Sequence, residues 1–343
     1  MPELYGFELT HAAMKLCRDL LKLKKDEIVV MTCDTESNQR TVEAVASAAF
    51  AMGAKPMVIW NATPLGVGKA ADSYLPTASL VGALNAADVW IEFNNQWIFY
   101  SATYDAVVED IGKLRYLNLV GMNPSMIVRV IGRVDLDLLE KYLARISSLT
   151  VAAEEVHMTT PAGTDVTFKN KPNQQPRYSL GYADKPGIYM LGGQIGWGIE
   201  HETIDGKIVF DGSVNPPTRI GLIREPIELT VVKGDIIKFD GGSDAIEYEA
   251  WCRSFNDPNM LKMAHVCYGF NPGAMLTGDV VEDERIWGAT EWGIGNMRWR
   301  PAASHSDGIC LSTSVWLDGN QVLDEGRAVD PELKKYAKLL GKW

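Results

Sequence analysis

The stretch EIVVMTCDTESNQRTVEAVASAAFAMGAKPMVIW, residues 27–60, holds the pattern that decides the fold of the first part of the chain. It begins with a β-branched apolar run at 27–32, continues with helical periodicity over 38–52 up to Gly53, and returns to an apolar run at 55–60. Short β-branched runs favour strands, and a strand–helix–strand succession is typical of parallel sheets. The stretch therefore predicts a βαβ unit.

The same alternation extends on both sides of this unit. Helical periodicity precedes it over residues 8–23, and short apolar runs follow at 87–93 and 117–121, with helical stretches between them. No Gly-x-Gly-x-x-Gly follows the first strand, so the pattern does not support a dinucleotide site. We therefore expect an α/β N-terminal domain with a parallel sheet over residues 1–149, closed by a helix at 135–149.

The character of the sequence changes after residue 149. Short apolar runs alternate with Gly-Asp and Gly-Gly turns, and residues 184–202 are dense in glycine, which predicts a long loop. Single helices are expected at 245–255 and 331–340. The chain is thus expected to continue over residues 150–343 as a β-rich α+β domain.

Composition and charge exclude several classes of partner. The chain has 343 residues and 46% hydrophobic residues, enough for two globular domains. Its net charge of −11 argues against nucleic acid and against an anionic membrane. No stretch approaches the roughly 20 apolar residues of a membrane helix, and no basic start precedes an apolar core. With five cysteines and no Cys-x-x-Cys pair, we expect a cytoplasmic protein without a disulfide framework.

A His-x-Asp pair in the last third of the chain predicts a metal site. His305 and Asp307 precede the apolar run 309–317, so on a strand both side chains leave the same face. Only five histidines are present, and His265 lies in the same glycine-rich third. Two imidazoles and one carboxylate leave open coordination positions for substrate and oxygen. We interpret these three residues as candidate metal ligands of a mononuclear metalloenzyme, with a chance pairing as the alternative.

Polar and aromatic residues elsewhere are candidates for substrate binding. In parallel sheets, ligands gather at the carboxyl ends of the strands. Residues 93–101 leave one such end with amides, aromatics and hydroxyls, among them Asn95 and Tyr100. Trp292 can stack on a planar substrate. The alternatives are an ordinary polar loop and aromatic packing.

With these residues in view, the chain resembles the thermophilic metallo-aminopeptidase (aminopeptidase S/T) superfamily, and within it the 2,5-dihydroxypyridine 5,6-dioxygenase-like branch. The resemblance spans nearly the whole chain and is best over three segments, 162–168, 205–213 and 305–307. Where the peptidases hold two metals, this sequence reads Gln194, His265 and Glu291. The resemblance therefore implies one metal instead of two.

The same resemblance implies a reaction. It implies that His265, His305 and Asp307 hold Fe(2+), in a non-haem ring-cleaving dioxygenase. The partners would be O2 and a hydroxylated pyridine or a related electron-rich aromatic from a catabolic pathway. Glu291, Tyr268 and Tyr100 are candidates for a catalytic acid–base group, with an ion pair to Arg298 or Arg300 as the alternative for Glu291 and core packing as the alternative for Tyr268. A homo-oligomer, either a dimer or an assembly of dimers, is implied as well.

Two other functions stay open at this point. A metal-dependent aminopeptidase or amidohydrolase would need a second cation, for which the sequence offers carboxylates at Asp165, Glu200, Glu202, Asp283 and Glu284. A binding or assembly protein with a degenerate site is the other alternative, although the three retained candidate ligands argue against it. Metal identity distinguishes the dioxygenase from the hydrolase.

Overall fold

The computed structural model of the protein describes residues 5–342. Within this range the chain forms two compact units. The first unit comprises the chain up to Val134 together with Ser179–Gly192, and the second comprises Asp135–Tyr178 and the chain from Gly193 onward. No helix in the described range combines the length and the apolar character that a bilayer span requires.

The secondary structure follows the chain in this order. The α-helices are α1 Gly6–Lys15, α2 Gln39–Ala51, α3 Thr77–Asn85, α4 Ala102–Val108, α5 Pro124–Ile127, α6 Leu136–Ala152, α7 Ser243–Ser254, α8 Val280–Asp283 and α9 Pro331–Leu339. The strands are β1 Ile28–Asp34, β2 Lys55–Asn61, β3 Val89–Glu92, β4 Arg115–Asn118, β5 Glu155–Thr159, β6 Asp165–Asn170, β7 Gly187–Met190, β8 Gln194–Gly196, β9 Ile199–Phe210, β10 Ser213–Asn215, β11 Gly221–Leu222, β12 Ile227–Val232, β13 Asp235–Gly241, β14 Met263–Gly269, β15 Ala289–Met297, β16 Arg300–Cys310, β17 Ser314–Leu317, β18 Asn320–Asp324 and β19 Arg327–Ala328. Short π-helical turns extend α1 and α5, at Leu16–Leu20 and Val128–Gly132.

The first unit is built on a parallel sheet of strand order β2-β1-β3-β4-β7. All residues of β1 after Ile28 are buried, as expected for a parallel strand covered on both faces. Helix α2 begins after Asn38, whose side chain accepts a hydrogen bond from the backbone N–H of Thr41. The prediction of an α/β first part with a parallel sheet is confirmed.

The glycine-rich segment 184–202, expected to be a long loop, contains β7, β8 and the start of β9. That expectation is wrong. Strand β7 pairs in parallel with β4, from Arg115 opposite Gly187 to Asn118 opposite Met190. A four-residue strand is too short to show a period, and its stability depends on a partner strand that is distant in sequence.

The predicted domain limits, 1–149 and 150–343, stay a prediction, and their ends at residues 1–4 and 343 lie outside the described range. The compact units divide the chain at other places. Helix α6 belongs to the second unit, although it was expected to close the first domain. Strand β7 returns the chain to the sheet of the first unit, so this unit is discontinuous in sequence.

The second unit contains two antiparallel sheets. Strand order is β11-β10-β16-β15-β14-β8 in the six-stranded sheet and β13-β12-β9-β6-β5-β17-β18-β19 in the eight-stranded sheet. The two sheets meet through apolar side chains: Phe168 of β6 contacts Trp292 of β15 edge-on, with ring centroids 5.6 Å apart. Since side chains alternate along a strand, β14, β15 and β16 keep a second face outside this core. The prediction of a β-rich α+β second part is confirmed.

Glu92, at the end of β3, is fully buried in the first unit. Its carboxylate accepts hydrogen bonds from the Tyr116 hydroxyl and, at 2.6 Å, from the backbone N–H of Ile98. Burial raises the pKa of Glu92 from 4.5 to about 7, because the charged form loses its hydration. The folded state thus holds the proton more tightly than the unfolded state. The resulting stabilisation is complete below about pH 4.5 and is lost as the pH rises to about 7.

We expect Glu92→Gln to remove this pH dependence. Glutamine keeps the shape and an oxygen acceptor for Ile98 but does not titrate. Between about pH 4.5 and pH 7, the free energy of unfolding of the wild type should fall by up to about 3 kcal/mol relative to the variant. Urea unfolding at a series of pH values measures the difference. Parallel pH profiles of the two proteins would contradict the assignment.

Candidate metal centre

The central strands of the six-stranded sheet bring the predicted ligands onto one face. His265 of β14 pairs with Gly293 of β15, and Gly293 pairs with Asp307 of β16. His305 of β16 pairs with Gly295. Residues in register, or two apart on one strand, project to the same side of a sheet. We call His265, His305 and Asp307 the metal triad.

The ligand atoms of the metal triad converge. Nε2 of His265 lies 3.0 Å from Nε2 of His305. Oδ1 of Asp307 lies 3.0 Å from Nε2 of His305 and 3.4 Å from Nε2 of His265. Metal–ligand bonds of about 2.1 Å at right angles separate neighbouring ligand atoms by about 3.0 Å. The observed separations therefore fit three adjacent positions around an octahedral cation.

Hydrogen bonds orient both imidazole rings for this role. Nδ1 of His305 lies 3.0 Å from the carbonyl oxygen of Asn296, so Nδ1 carries the proton and Nε2 presents its lone pair. Nδ1 of His265 lies 3.3 Å from Oε1 of Glu291, which favours the same tautomer. Three atoms with lone pairs then face one another. A cation satisfies such an arrangement, so the donor set fits a metal ion.

The charges of His265 and Asp307 agree with this fit, whereas Asp307 outweighs burial and raises the pKa of His305, whose proton a bound cation would displace. Burial lowers the pKa of His265 to about 4, so the imidazole is neutral at physiological pH. Burial by itself would raise the pKa of Asp307. The neighbouring His305 and His265 and a hydrogen bond with Glu291 outweigh burial and lower this pKa. Neutral imidazole and ionised carboxylate are the forms that bind metals.

Glu291 lies beside the triad and is 2% exposed. Its carboxyl group shares a hydrogen bond with Asp307 and accepts another from the side-chain amide of Gln194. Burial, and then the nearby carboxylates of Glu284 and Asp307, raise the pKa of Glu291 well above its usual range. Glu291 is therefore a group that can hold a proton next to the ligands.

A buried arginine neutralises the carboxylates behind Glu291. Arg285, 1% exposed, donates hydrogen bonds to the carboxylate of Glu284 and, at 3.0 Å, to Oε1 of Gln194. Gln194 in turn donates to Glu291 and, at 3.3 Å, to Glu284. The guanidinium supplies the positive charge that these carboxylates would otherwise need from a second cation.

Metal-binding atoms in the described part of the chain form three groups, each within 4.8 Å: the metal triad, His265–Cys267–Glu291 and Glu284–Glu291–Asp307. Of the carboxylates that the sequence offered for a second cation, only Glu284 belongs to one of these groups. Asp165 instead pairs with His157 at 2.8 Å, and Asp283 accepts a hydrogen bond from Ser213. Glu200 is exposed on β9.

Tyr268 and Trp292, predicted as site residues, lie on the opposite face of the sheet. Both are fully buried. The Tyr268 ring lies 4.5 Å from that of Trp197, and its hydroxyl lies 3.5 Å from Oγ1 of Thr150. Tyr268 is three residues from His265 on β14, and Trp292 is next to Glu291 on β15. Because side chains alternate along a strand, the side chains of Tyr268 and Trp292 point into the core. The structure does not bring them together with the triad.

Asn95 and Tyr100 belong to the first unit, in the segment after β3. The backbone N–H of Asn95 donates to Asp34 at 2.7 Å, and its side-chain amide donates to Glu36 at 3.0 Å. Tyr100 adopts a positive φ of 65° and is 42% exposed, with its ring 3.9 Å from that of Phe99. Substrate binding by these two residues stays a prediction.

Gly293 has a role that the sequence pattern did not reveal. A Cβ at this position would lie 2.6 Å from Cε1 of His265 and closer still to Nε2. Glycine therefore lets the His265 ring lie across β15 towards Asp307. The sequence offers only a weak indication of this role, because an isolated glycine inside a strand indicates the close approach of another group.

The chain matches known proteins over nearly its full length. The family model described as 2,5-dihydroxypyridine 5,6-dioxygenase (NicX) matches residues 7–330. A 2,5-dihydroxypyridine 5,6-dioxygenase of Pseudomonas putida is 24% identical over 342 residues, covering 91% of this chain and 94% of that protein.

Two solved structures share the fold. One is the 2,5-dihydroxypyridine dioxygenase from Pseudomonas putida, with a TM-score of 0.74 at 22% identity, covering 97% of this chain and 100% of that one. The other is AmpT from Thermus thermophilus, with a TM-score of 0.66 at 13% identity, covering 95% of this chain and 100% of that one. Since the family model spans most of the sequence, the chain belongs to the 2,5-dihydroxypyridine 5,6-dioxygenase family and is a dioxygenase.

Proposed function

We propose that this dioxygenase uses Fe(II) and O2 to open the ring of a hydroxylated pyridine or a related electron-rich aromatic. The observation that carries the proposal is the convergence of the three ligand atoms of the metal triad on one face of the sheet. Two imidazoles and one carboxylate suit non-haem Fe(II) that binds and activates O2. The name of the Pseudomonas relative supports the substrate class.

Held by His265, His305 and Asp307, Fe(II) would offer open positions to the organic substrate and O2 and would relieve the spin barrier between them. The protein's own groups orient the reactants and move protons. The carbonyl of Asn296 fixes the ring of His305 through Nδ1. Both oxygen atoms of O2 enter the ring-opened product.

Glu291 is the acid–base group in this proposal. Beside a cation its carboxylate form is favoured, so it accepts the hydroxyl proton of the incoming substrate and returns it to the opened product. Its position next to Asp307, with Gln194 holding the carboxyl group, supports this role. The burial of Glu291 keeps bulk water from exchanging that proton.

We expect Glu291→Gln to lower kcat by about 10²–10⁴-fold while metal content is retained. Glutamine keeps the volume and can donate a hydrogen bond to Asp307, but it cannot transfer the proton. Oxygen uptake and metal analysis on the same preparation measure the two effects separately. The companion variant Tyr268→Phe tests another candidate. Loss of turnover in Tyr268→Phe, with normal turnover in Glu291→Gln, would contradict the assignment.

Metal analysis of anaerobically purified protein, combined with oxygen uptake, tests the proposed function itself. We expect about one iron per chain and Fe(II)-dependent oxygen uptake with a dihydroxypyridine or a dihydroxybenzene. Two zinc or cobalt ions per chain, with hydrolysis of peptides or amides and no oxygen uptake, would instead support the aminopeptidase or amidohydrolase alternative. That alternative would have to recruit Glu284, whose carboxylate Arg285 already holds.

We further propose a cytoplasmic homo-oligomer, as a dimer or an assembly of dimers. The resemblance to the superfamily supports the oligomer. The five cysteines carry free thiols, which suits a reducing compartment. Light scattering on the purified protein measures the mass of the assembly, and a monomer would contradict this part of the proposal.

A further inference from the structure

A second set of ligand atoms surrounds the other nitrogen of His265. Nδ1 of His265 lies 3.8 Å from Sγ of Cys267 and 3.3 Å from Oε1 of Glu291. His265 and Cys267 are two apart on β14, and Glu291 is the cross-strand partner of Cys267. All three side chains therefore leave the face of the sheet that carries the metal triad.

The spacing of these atoms differs from that of the metal triad. Tetrahedral angles, with metal–sulfur bonds of about 2.3 Å and metal–nitrogen or metal–oxygen bonds of about 2.0–2.1 Å, separate N from S by about 3.6 Å and N from O by about 3.3 Å. The observed separations are 3.8 Å and 3.3 Å. Both separations from Nδ1 therefore fit a tetrahedral cation, and the ligand atoms of Cys267 and Glu291 lie within 4.8 Å of each other. The fourth ligand would be water.

The thiol also has room to bind. Cys267 is partly exposed and carries a free thiol. Its partner on β8 is Gly196, where a Cβ would lie 3.1 Å from Sγ. A side chain at that position would press on the sulfur, and glycine leaves this side of the thiol open.

We propose that His265, Cys267 and Glu291 form a second metal site, the thiol site, which takes Zn²⁺ or another thiophilic divalent cation. Thiolate, imidazole and carboxylate together are typical zinc ligands. On binding, the thiol proton leaves to solvent and the thiolate bonds to the cation.

The thiol site and the metal triad exclude each other. A neutral imidazole has one lone pair, so a cation on Nδ1 of His265 leaves the proton on Nε2 and removes that atom from the triad. Zinc at the thiol site would therefore prevent iron from binding and hold the enzyme inactive. The existence of the thiol site is independent of the proposed function, whereas the inhibition rests on it.

Spectroscopy of the metal-loaded protein tests the thiol site directly. X-ray absorption of the protein with one equivalent of Zn²⁺ should show a sulfur neighbour at about 2.3 Å, and Co²⁺ should give a thiolate charge-transfer band in the near ultraviolet. Both signals should disappear in Cys267→Ala. They should persist in Cys310→Ala, the matched control, because Cys310 is a buried thiol of the same sheet outside the group. Zinc without a sulfur neighbour in the wild type would overturn the site.

His305→Ala separates the two sites, because it removes a triad ligand and leaves the thiol site complete. We expect this variant to keep the sulfur signal and to lose Fe(II) binding. In the wild type, one equivalent of Zn²⁺ should lower the Fe(II) bound at equilibrium at least tenfold. A sulfur signal together with undiminished Fe(II) binding would overturn the exclusion. If activity did not depend on iron, the proposed function would fail, but the sulfur signal would be unaffected. Failure of the proposed function can therefore be distinguished from failure of the thiol site.

Discussion

Asp307→Ala is expected to abolish both metal binding and turnover. The substitution removes the one anionic ligand of the metal triad and leaves two neutral imidazoles facing each other, with Nε2 atoms 3.0 Å apart. Loss of a group that merely supports a metal ligand already costs about 10–100-fold in affinity. Loss of a ligand itself should therefore lower the metal affinity by more than about 100-fold. Metal content after dialysis and Fe(II)-dependent oxygen uptake measure the two effects.

Asp165→Ala is the matched control for this experiment. It also removes a strand carboxylate that lies 2.8 Å from a histidine nitrogen, but this carboxylate is 73% exposed and outside the metal-binding groups. Exposed pairs of this kind contribute little to stability, so metal and turnover should stay at wild-type levels. An Asp307→Ala protein that kept either property would refute the ligand assignment. Circular dichroism checks that both variants are folded.

Gly293→Ala is expected to damage the site while β15 stays paired. The added methyl group would meet the His265 ring at 2.6 Å or less, and the paired backbone on both sides of β15 cannot move away. The imidazole must therefore turn out of the triad. A displacement of about 1 Å costs on the order of 100-fold in activity. We expect Fe(II) affinity to fall at least about tenfold, which titration with Fe(II) under anaerobic conditions measures.

The control for this variant is Gly82→Ala, the same change in α3. Apart from its chain neighbours and the backbone of α3, no atom lies within 4 Å of a Cβ at Gly82. Alanine in a helix interior is favoured over glycine by about 0.5–1 kcal/mol, so this variant should gain stability and keep its iron. Wild-type iron affinity in Gly293→Ala would show that the His265 ring does not need the space that glycine leaves.

Local patterns were sufficient for strands β1 to β4 and their parallel sheet, but not for β7, the fifth strand of that sheet. The βαβ stretch 27–60 was predictable because apolar runs and helical periodicity are properties of neighbouring residues. Strand β7 was not, because its pairing with β4 joins Gly187 to Arg115 across a large part of the chain. The role of Gly293 depends on the same kind of information, the register between strands.

The same alternation of side chains that puts His305 and Asp307 on one face of a strand puts two other predicted site residues on the opposite face. Tyr268 is three residues from His265, and Trp292 is next to Glu291, so on strands neither can share a face with its neighbour. The structure has both side chains in the core. The alternation of side chains could not predict that Gln194 and Arg285 lie around Glu291. Their positions depend on how β8 and the turn before β15 pack beside that strand.

The return of β7 to the first sheet determines when that sheet can be completed during synthesis. A nascent chain that ends at Val134 would leave β4 as an open edge, which is a template for pairing with other chains. The edge closes only after residue 190 has left the ribosome, when part of the second unit has already been made. A truncated first unit should therefore aggregate, and a separate peptide of residues 179–192 should rescue it by adding the missing strand.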